Sequence, residues 1–300
     1  MELKWVWIFT LVGIVFLAGC IQLPGGTQTT RGGVSSGVVI KSFYAVNPEI
    51  YSGDDAYFDF TVENIGESDA NNVCIKIYGL SDIEWTNWQP SNKITCPGLL
   101  NKANPTEKLP GGIATGEFSV KSPQGLKVDT TYTALIRVMY NYSTSGEGKI
   151  KLYNKTYLNA MPIEEAKKIR SSSGIESFVT TKGVPVQLSL TGLPRPLEDG
   201  GGSRKITLVI ENVGQGGNYL TTLDDRKVRI KTFKVGNTDC TSVAGFDREP
   251  ALPRTGSKMI TCEFTAPPVS EFTTIPVKVE IEYNYFVDTS TTIKVLKSPV

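Results

Sequence analysis

Apolar and polar residues alternate with a period of two along much of this chain. Tyr132, Ala134, Ile136, Val138 and Tyr140 lie in one phase, and Thr133, Leu135, Arg137, Met139 and Asn141 in the other. A second stretch is cleaner. There Ile275, Val277, Val279, Ile281, Tyr283 and Tyr285 alternate with Pro276, Lys278, Glu280, Glu282 and Asn284. Half-buried antiparallel strands show this period because successive side chains point to opposite faces. Each half of the chain holds about seven such strand candidates, the number that suits a sandwich. The one helical pattern is Pro162–Arg170, with proline first and acids before bases, as the helix dipole prefers. It stops at Ser171-Ser172-Ser173-Gly174.

The strand pattern repeats. Phe58-Asp59-Phe60-Thr61-Val62-Glu63-Asn64-Ile65-Gly66 matches Ile206-Thr207-Leu208-Val209-Ile210-Glu211-Asn212-Val213-Gly214, an offset of 148. Glu117-Phe118 matches Glu263-Phe264, and Tyr140-Asn141-Tyr142 matches Tyr283-Asn284-Tyr285, with offsets of 146 and 143. The kept order indicates a tandem duplication. In each copy the strand meets Asn and Gly, which tolerate the left-handed backbone of a turn.

The run Val62-Glu63-Asn64-Ile65-Gly66-Glu67-Ser68-Asp69-Ala70-Asn71-Asn72-Val73, then Cys74-Ile75-Lys76-Ile77-Tyr78, resembles the adhesion-related immunoglobulin-like modules of bacterial and archaeal surface proteins, the CARDB type and its S-layer-associated relatives. The resemblance covers residues 38–160 well and 176–297 less well, because a longer stretch separates Gly214 from Cys240. It implies spacer, adhesion or assembly units. The expected fold is all-β: two tandem antiparallel immunoglobulin-like β-sandwiches after an N-terminal apolar segment. Domain 1 would span 38–160 and domain 2 177–300, joined by a linker with a short helix at 161–176. Each is expected to fold alone.

The N-terminus sets the compartment. Lys4 precedes an uncharged apolar stretch, residues 5–19, that ends in Leu17-Ala18-Gly19-Cys20. A weakly basic start and an apolar stretch read as an export signal. The ending resembles the lipobox of prokaryotic lipoproteins, which implies lipidation of Cys20. The alternative is an uncleaved span, because residues 5–23 give 19 uncharged positions. Either way residues 1–20 are a signal or anchor, and the polar, glycine-rich 21–37 is a stalk. The body would lie on the extracytoplasmic face of the cell membrane.

Composition narrows the chemistry. There is no histidine, which removes a Ser-His-Asp triad, a Cys-His pair and the commonest zinc sites. The net charge of +1 and dispersed basic residues do not suit nucleic acid. Besides Cys20, four cysteines remain, as the pairs Cys74/Cys96 and Cys240/Cys262, the partners 22 positions apart. In an exported chain an even number, one pair per repeat, indicates disulfides. Four cysteines allow three connectivities, and this distribution favours Cys74–Cys96 and Cys240–Cys262. The phase of Cys74 puts the first bridge toward the surface, and Cys262 falls with Ile260 and Phe264 on the apolar face.

Asn141-Tyr142-Ser143 and Asn154-Lys155-Thr156 are glycosylation sequons. Trp85 and Trp88 either offer aromatic platforms to a sugar or partner, or cover the end of the core. Asp54-Asp55 and Asp224-Asp225 read as solvated turns rather than calcium sites, and no cofactor is expected. The expected function is a membrane-anchored surface structural or interaction protein, not an enzyme, acting in adhesion or envelope assembly through protein or glycan contacts. The alternatives are a carbohydrate- or solute-binding lipoprotein and a filament subunit assembling by strand exchange. The anchor is tested by intact mass of the membrane form: a lipid-bearing chain should begin at Cys20 and be lost in Cys20→Ser. A mass that begins at Met1 without lipid rejects lipidation.

Overall fold

The computed structural model describes residues 37–199, 202–214, 227–253 and 256–298. Residues 1–36, with Cys20, the signal or anchor segment and nearly all of the proposed stalk, lie outside the described residues, as do Asp224 and Asp225. The described chain is all-β apart from two short α-helices and a 3-10 turn at Cys240–Ser242. In order, the elements are β1 Val38–Ala45, β2 Glu49–Tyr51, β3 Asp55–Asn64, β4 Ala70–Tyr78, β5 Thr86–Gln89, β6 Ile94–Leu100, β7 Ile113–Lys121 and β8 Thr130–Tyr153. Helices α1 Lys155–Ala160 and α2 Ile163–Arg170 follow. Then come β9 Ile175–Thr180, β10 Val186–Thr191, β11 Leu197–Glu198, β12 Ser203–Asn212, β13 Arg229–Val235, β14 Thr238–Asp239, β15 Gly256–Thr265 and β16 Phe272–Leu296.

The halves match in topology. One sheet runs β1-β3-β7-β5 and its counterpart β10-β12-β15. Val38 pairs with Asn64 in the first, and Val186 with Asn212 in the second. The third sheet belongs to both halves. It runs β14-β13-β16-β8-β4-β6, with β2 added on β16, and β9 and β11 on β8.

Its centre is the ribbon of β8 and β16, which pair antiparallel from Thr130↔Val295 to Tyr153↔Phe272. Asn141 lies directly opposite Asn284, with Tyr140↔Tyr285 and Tyr142↔Tyr283 beside them, so the internal repeat becomes a local pseudo-twofold axis. The first part of β8 pairs with β4 of its own repeat, and its last part with β9 and β11 of the other. β16 pairs with β13 of its own repeat and then with β2 of the first. Each half thus completes the other's sheet.

Alternation explains the burial. Along β8 the even positions Ala134, Ile136, Val138, Tyr140, Tyr142, Thr144, Ile150 and Leu152 are buried. Along β16 the odd positions Ile275 to Tyr285 are buried, and so are Ile293 and Val295. These side chains join those of both smaller sheets in one apolar core. The helical pattern read at 162–170 forms α2, and α1 precedes it, capped by Asn154.

The Asn-Gly steps after β3 and β12 do a different task from the turn formation expected of them. The asparagines are buried, and neither they nor the glycines are among the positive-φ residues. A Cβ on Gly66 would overlap the Tyr142 hydroxyl, and one on Gly214 the Tyr285 hydroxyl. The glycines are required because a phenol packs against the backbone there.

The shared sheet opposes independent folding of either half. Residues 38–160 alone would lack the β16 partner along all of β8. Separately purified 38–160 and 161–298 should each melt without a cooperative transition by circular dichroism, and mixing them should restore one. A cooperative melt of 38–160 alone would show that the ribbon is dispensable.

Candidate interaction surface

The residues at the pseudo-twofold axis form two layers. Beneath the ribbon, Tyr140, Tyr142, Tyr283 and Tyr285 are buried with ring centroids 5.5 to 6.3 Å apart in edge-on and tilted arrangements. The Tyr142 hydroxyl donates to Asn64 Oδ1 at 2.9 Å, and the Tyr285 hydroxyl to Asn212 Oδ1 at 2.9 Å. Asn64 Nδ2 donates to the carbonyls of Ser68, Leu100 and Asn101. The Thr144 hydroxyl lies 2.9 Å from that of Tyr283 and donates to the Val186 carbonyl. Burial pushes the phenols of Tyr140, Tyr142 and Tyr283 well above their usual range, so all three stay neutral. This layer is a satisfied structural network.

Above the ribbon, Asn141 Nδ2 donates to Asn284 Oδ1 at 2.6 Å. Around this pair Asn71, Ser143, Arg229 and Glu282 line a shallow cleft of about 410 Å³. Its ions are engaged already: Arg229 Nε donates to Glu249 at 2.9 Å, and Lys231 lies 3.4 Å from Glu282. What the cleft presents is amide and hydroxyl groups. Such a surface can hold polar groups by hydrogen bonds, and nothing in its arrangement activates a nucleophile.

Trp85 and Trp88 lie in the core. Trp85 is fully buried and meets Tyr132 edge-on at 5.2 Å, and Trp88 is 7% exposed beneath the Lys93 ammonium, 4.7 Å from the ring centroid. Neither offers a free ring face, so the platform expectation gives way to the core role. The reason is local: Trp88 falls on the inward phase of β5, and the turn at Ser81–Trp85 folds the other ring inward.

Cys74–Cys96 and Cys240–Cys262 are disulfides, with Cα separations of 4.1 and 5.6 Å. The first joins β4 to β6, with Cys96 exposed; the second is buried and ties β15 to the turn after β14. Asn141 is exposed, with its amide in the Asn284 pair. Asn154 is engaged at both ends of its amide. Its Oδ1 caps α1 through Tyr157 N, and its Nδ2 donates to Asp199 Oδ2 and the Val269 carbonyl. Asp54 Oδ2 accepts from Tyr51 N within a turn. Among the described residues no cluster of acidic and cysteine side chains is arranged to hold a metal.

Sequence reading missed Asn64 and Asn212 as buried hubs. Their signal was an asparagine at the same place in both repeats, each two residues before a glycine.

No protein-family model matches the chain, and no curated protein matches it. Among solved structures it is similar to the secreted serine protease VesC from Vibrio cholerae, at 12% identity over 84% of this chain and 51% of that one, with a TM-score of 0.21. It is also similar to Escherichia coli alpha-2-macroglobulin activated by porcine elastase, at 12% identity over 87% of this chain and 32% of that one, with a TM-score of 0.16. The chain thus spans about half the length of the first. Neither likeness bears on fold or activity.

Replacing Trp85 or Trp88 by Ala should each lower stability by about 3–5 kcal/mol, since a large core side chain is lost. Urea unfolding measures this, and an unchanged midpoint for either variant would put that ring outside the core.

Proposed function

We propose that this protein is an extracytoplasmic, membrane-anchored structural or interaction protein. Its two repeats are immunoglobulin-like sandwiches, exchanged through a common sheet, and Cys20 or the apolar segment around it tethers them. The observation that carries this reading is the combination of one disulfide in each repeat with the unbroken ribbon between them. Disulfides persist in oxidising compartments, which agrees with the export-like N-terminus. A sheet that runs through both repeats without a hinge suits a spacer or docking platform better than a reaction centre. The charged outward phase of β16, with Lys278, Glu280 and Glu282, suits a solvated outer face.

Adhesion or envelope assembly is then the role, through protein or glycan contacts. The buried indoles count against a sugar-binding role based on Trp85 and Trp88. An impermeant amine reagent applied to intact cells should label Lys149 and Lys278 of the membrane-bound chain, and crosslinking in place should give a discrete adduct with an envelope protein or glycan. Labelling only after lysis would reject the location. Turnover of a substrate that disappears with one carboxylate would reject the non-catalytic role.

A further inference from the structure

The two repeats differ at one inward position. On β12, Ile206, Leu208 and Ile210 point into the core and are buried, and Arg204 lies two residues before them on the same phase. The offset of 148 puts Ala56 of β3 at the equivalent place, where it is part of the core. One repeat ends this inward row with a methyl group, and the other turns a guanidinium inward.

That guanidinium is poorly met by the protein. Its Nε is buried without a hydrogen-bond partner, and its Nη2 makes one long bond, 3.3 Å, to the Glu198 carbonyl. A buried unpaired donor costs free energy, and an uncompensated charge costs more. The nearby acids are held elsewhere. The Glu198 carboxylate accepts from Arg170 Nε at 3.0 Å, and Asp199 accepts from Asn154 Nδ2 and Lys155 N. Among the described residues no carboxylate forms an ion pair with Arg204 or Arg195.

Both arginines line one cleft of about 300 Å³, with Leu193, Pro194 and Pro196 as apolar walls and Glu198 beside them. The walls are fixed in place. Gly174 N donates to the Leu193 carbonyl, and a Cβ on Gly174 would overlap the Arg195 carbonyl, so this loop lies flat on the backbone after α2. Leu197 and Glu198 then pair with Leu152 and Tyr153 at the end of β8. Arg204 Cζ and Nη1 lie over Gly202, 3.9 Å from where a Cβ would stand.

We propose that this cleft is a binding site for an acidic sugar, its carboxylate bound by Arg204 and Arg195. Arginine suits a planar carboxylate, which can accept two parallel hydrogen bonds. The Arg170–Glu198 pair cancels, which leaves Arg195 and Arg204 as the uncompensated charges. The Glu198 carboxylate stays in the wall and repels a doubly charged phosphate more than a singly charged carboxylate. It also needs donors, which sugar hydroxyls supply and the acidic side chain of a protein does not. A cleft of this volume is at the small end of ligand pockets, with room for one sugar ring behind the carboxylate. The leucine and proline walls meet the ring's C–H groups.

The test uses the full chain in an uncharged detergent at low salt, with galacturonic acid as the probe. The Leu193 and Leu197 amide resonances should shift saturably at millimolar concentration, and the melting temperature should rise with ligand. Arg204→Met keeps the length and apolar stem of the side chain. It should melt no lower than the unsubstituted chain and bind about tenfold more weakly. Arg195→Met, on the surface, should also weaken binding. Lys205→Met removes the same charge from the outward phase of β12 and should leave binding unchanged. Galactose should not bind, and inorganic phosphate and N-acetylglutamate should bind about tenfold more weakly than galacturonic acid. No saturable shift overturns the site. Equal binding by Arg204→Met overturns it too, as does a lowered melting temperature for that variant, because the protein itself would then compensate the charge. Equal binding of galactose, phosphate or N-acetylglutamate overturns the acidic-sugar assignment. The cleft does not depend on the anchor or the compartment, so a failed titration leaves the anchored-module reading standing, and failed surface labelling leaves the titration unchanged.

Discussion

The antiparallel register of β8 against β16 is the constraint on which the rest of the molecule depends. It places Asn141 opposite Asn284 and thereby sets the tyrosine layer beneath them. That layer holds Asn64 and Asn212, which close the ends of β3 and β12. A slip of one residue would invert every side chain on the ribbon, expose the tyrosines and bury charges such as Lys278 and Glu280. The strict alternation along both strands therefore fixes pairing as well as burial.

Much of this was legible in the sequence. The period of two gave the inward faces at Tyr132–Tyr140 and Ile275–Tyr285, and the repeat gave the matching order of strands. The phase of Cys74 and Cys262 separated an exposed bridge from a buried one. Helix α2 showed its proline start and its acid-to-base order.

The continuation of β8 was not legible. Residues 143–149 read Ser-Thr-Ser-Gly-Glu-Gly-Lys, the composition of a turn. They stay extended because Phe178, some thirty residues away, fills the space that Gly146 and Gly148 leave open. Residues 288–292, Asp-Thr-Ser-Thr-Thr, lack an apolar residue and are extended because β8 pairs with them. Local pattern reports what a segment prefers, and strand exchange is decided by partners far away in sequence. Asn154 shows the same limit: a sequon in sequence, it is a helix cap once Asp199 and Val269 arrive beside it.

The ribbon also has a mechanical meaning. All 24 residues of β8 face a partner on β16, and the strands lie along the line that joins the two halves. Tension that pulls the halves apart along that line loads the ladder in shear, with many hydrogen bonds sharing the force at once, whereas peeling from one end would break them in turn. A ladder with this geometry resists stretching as one unit and gives way all together.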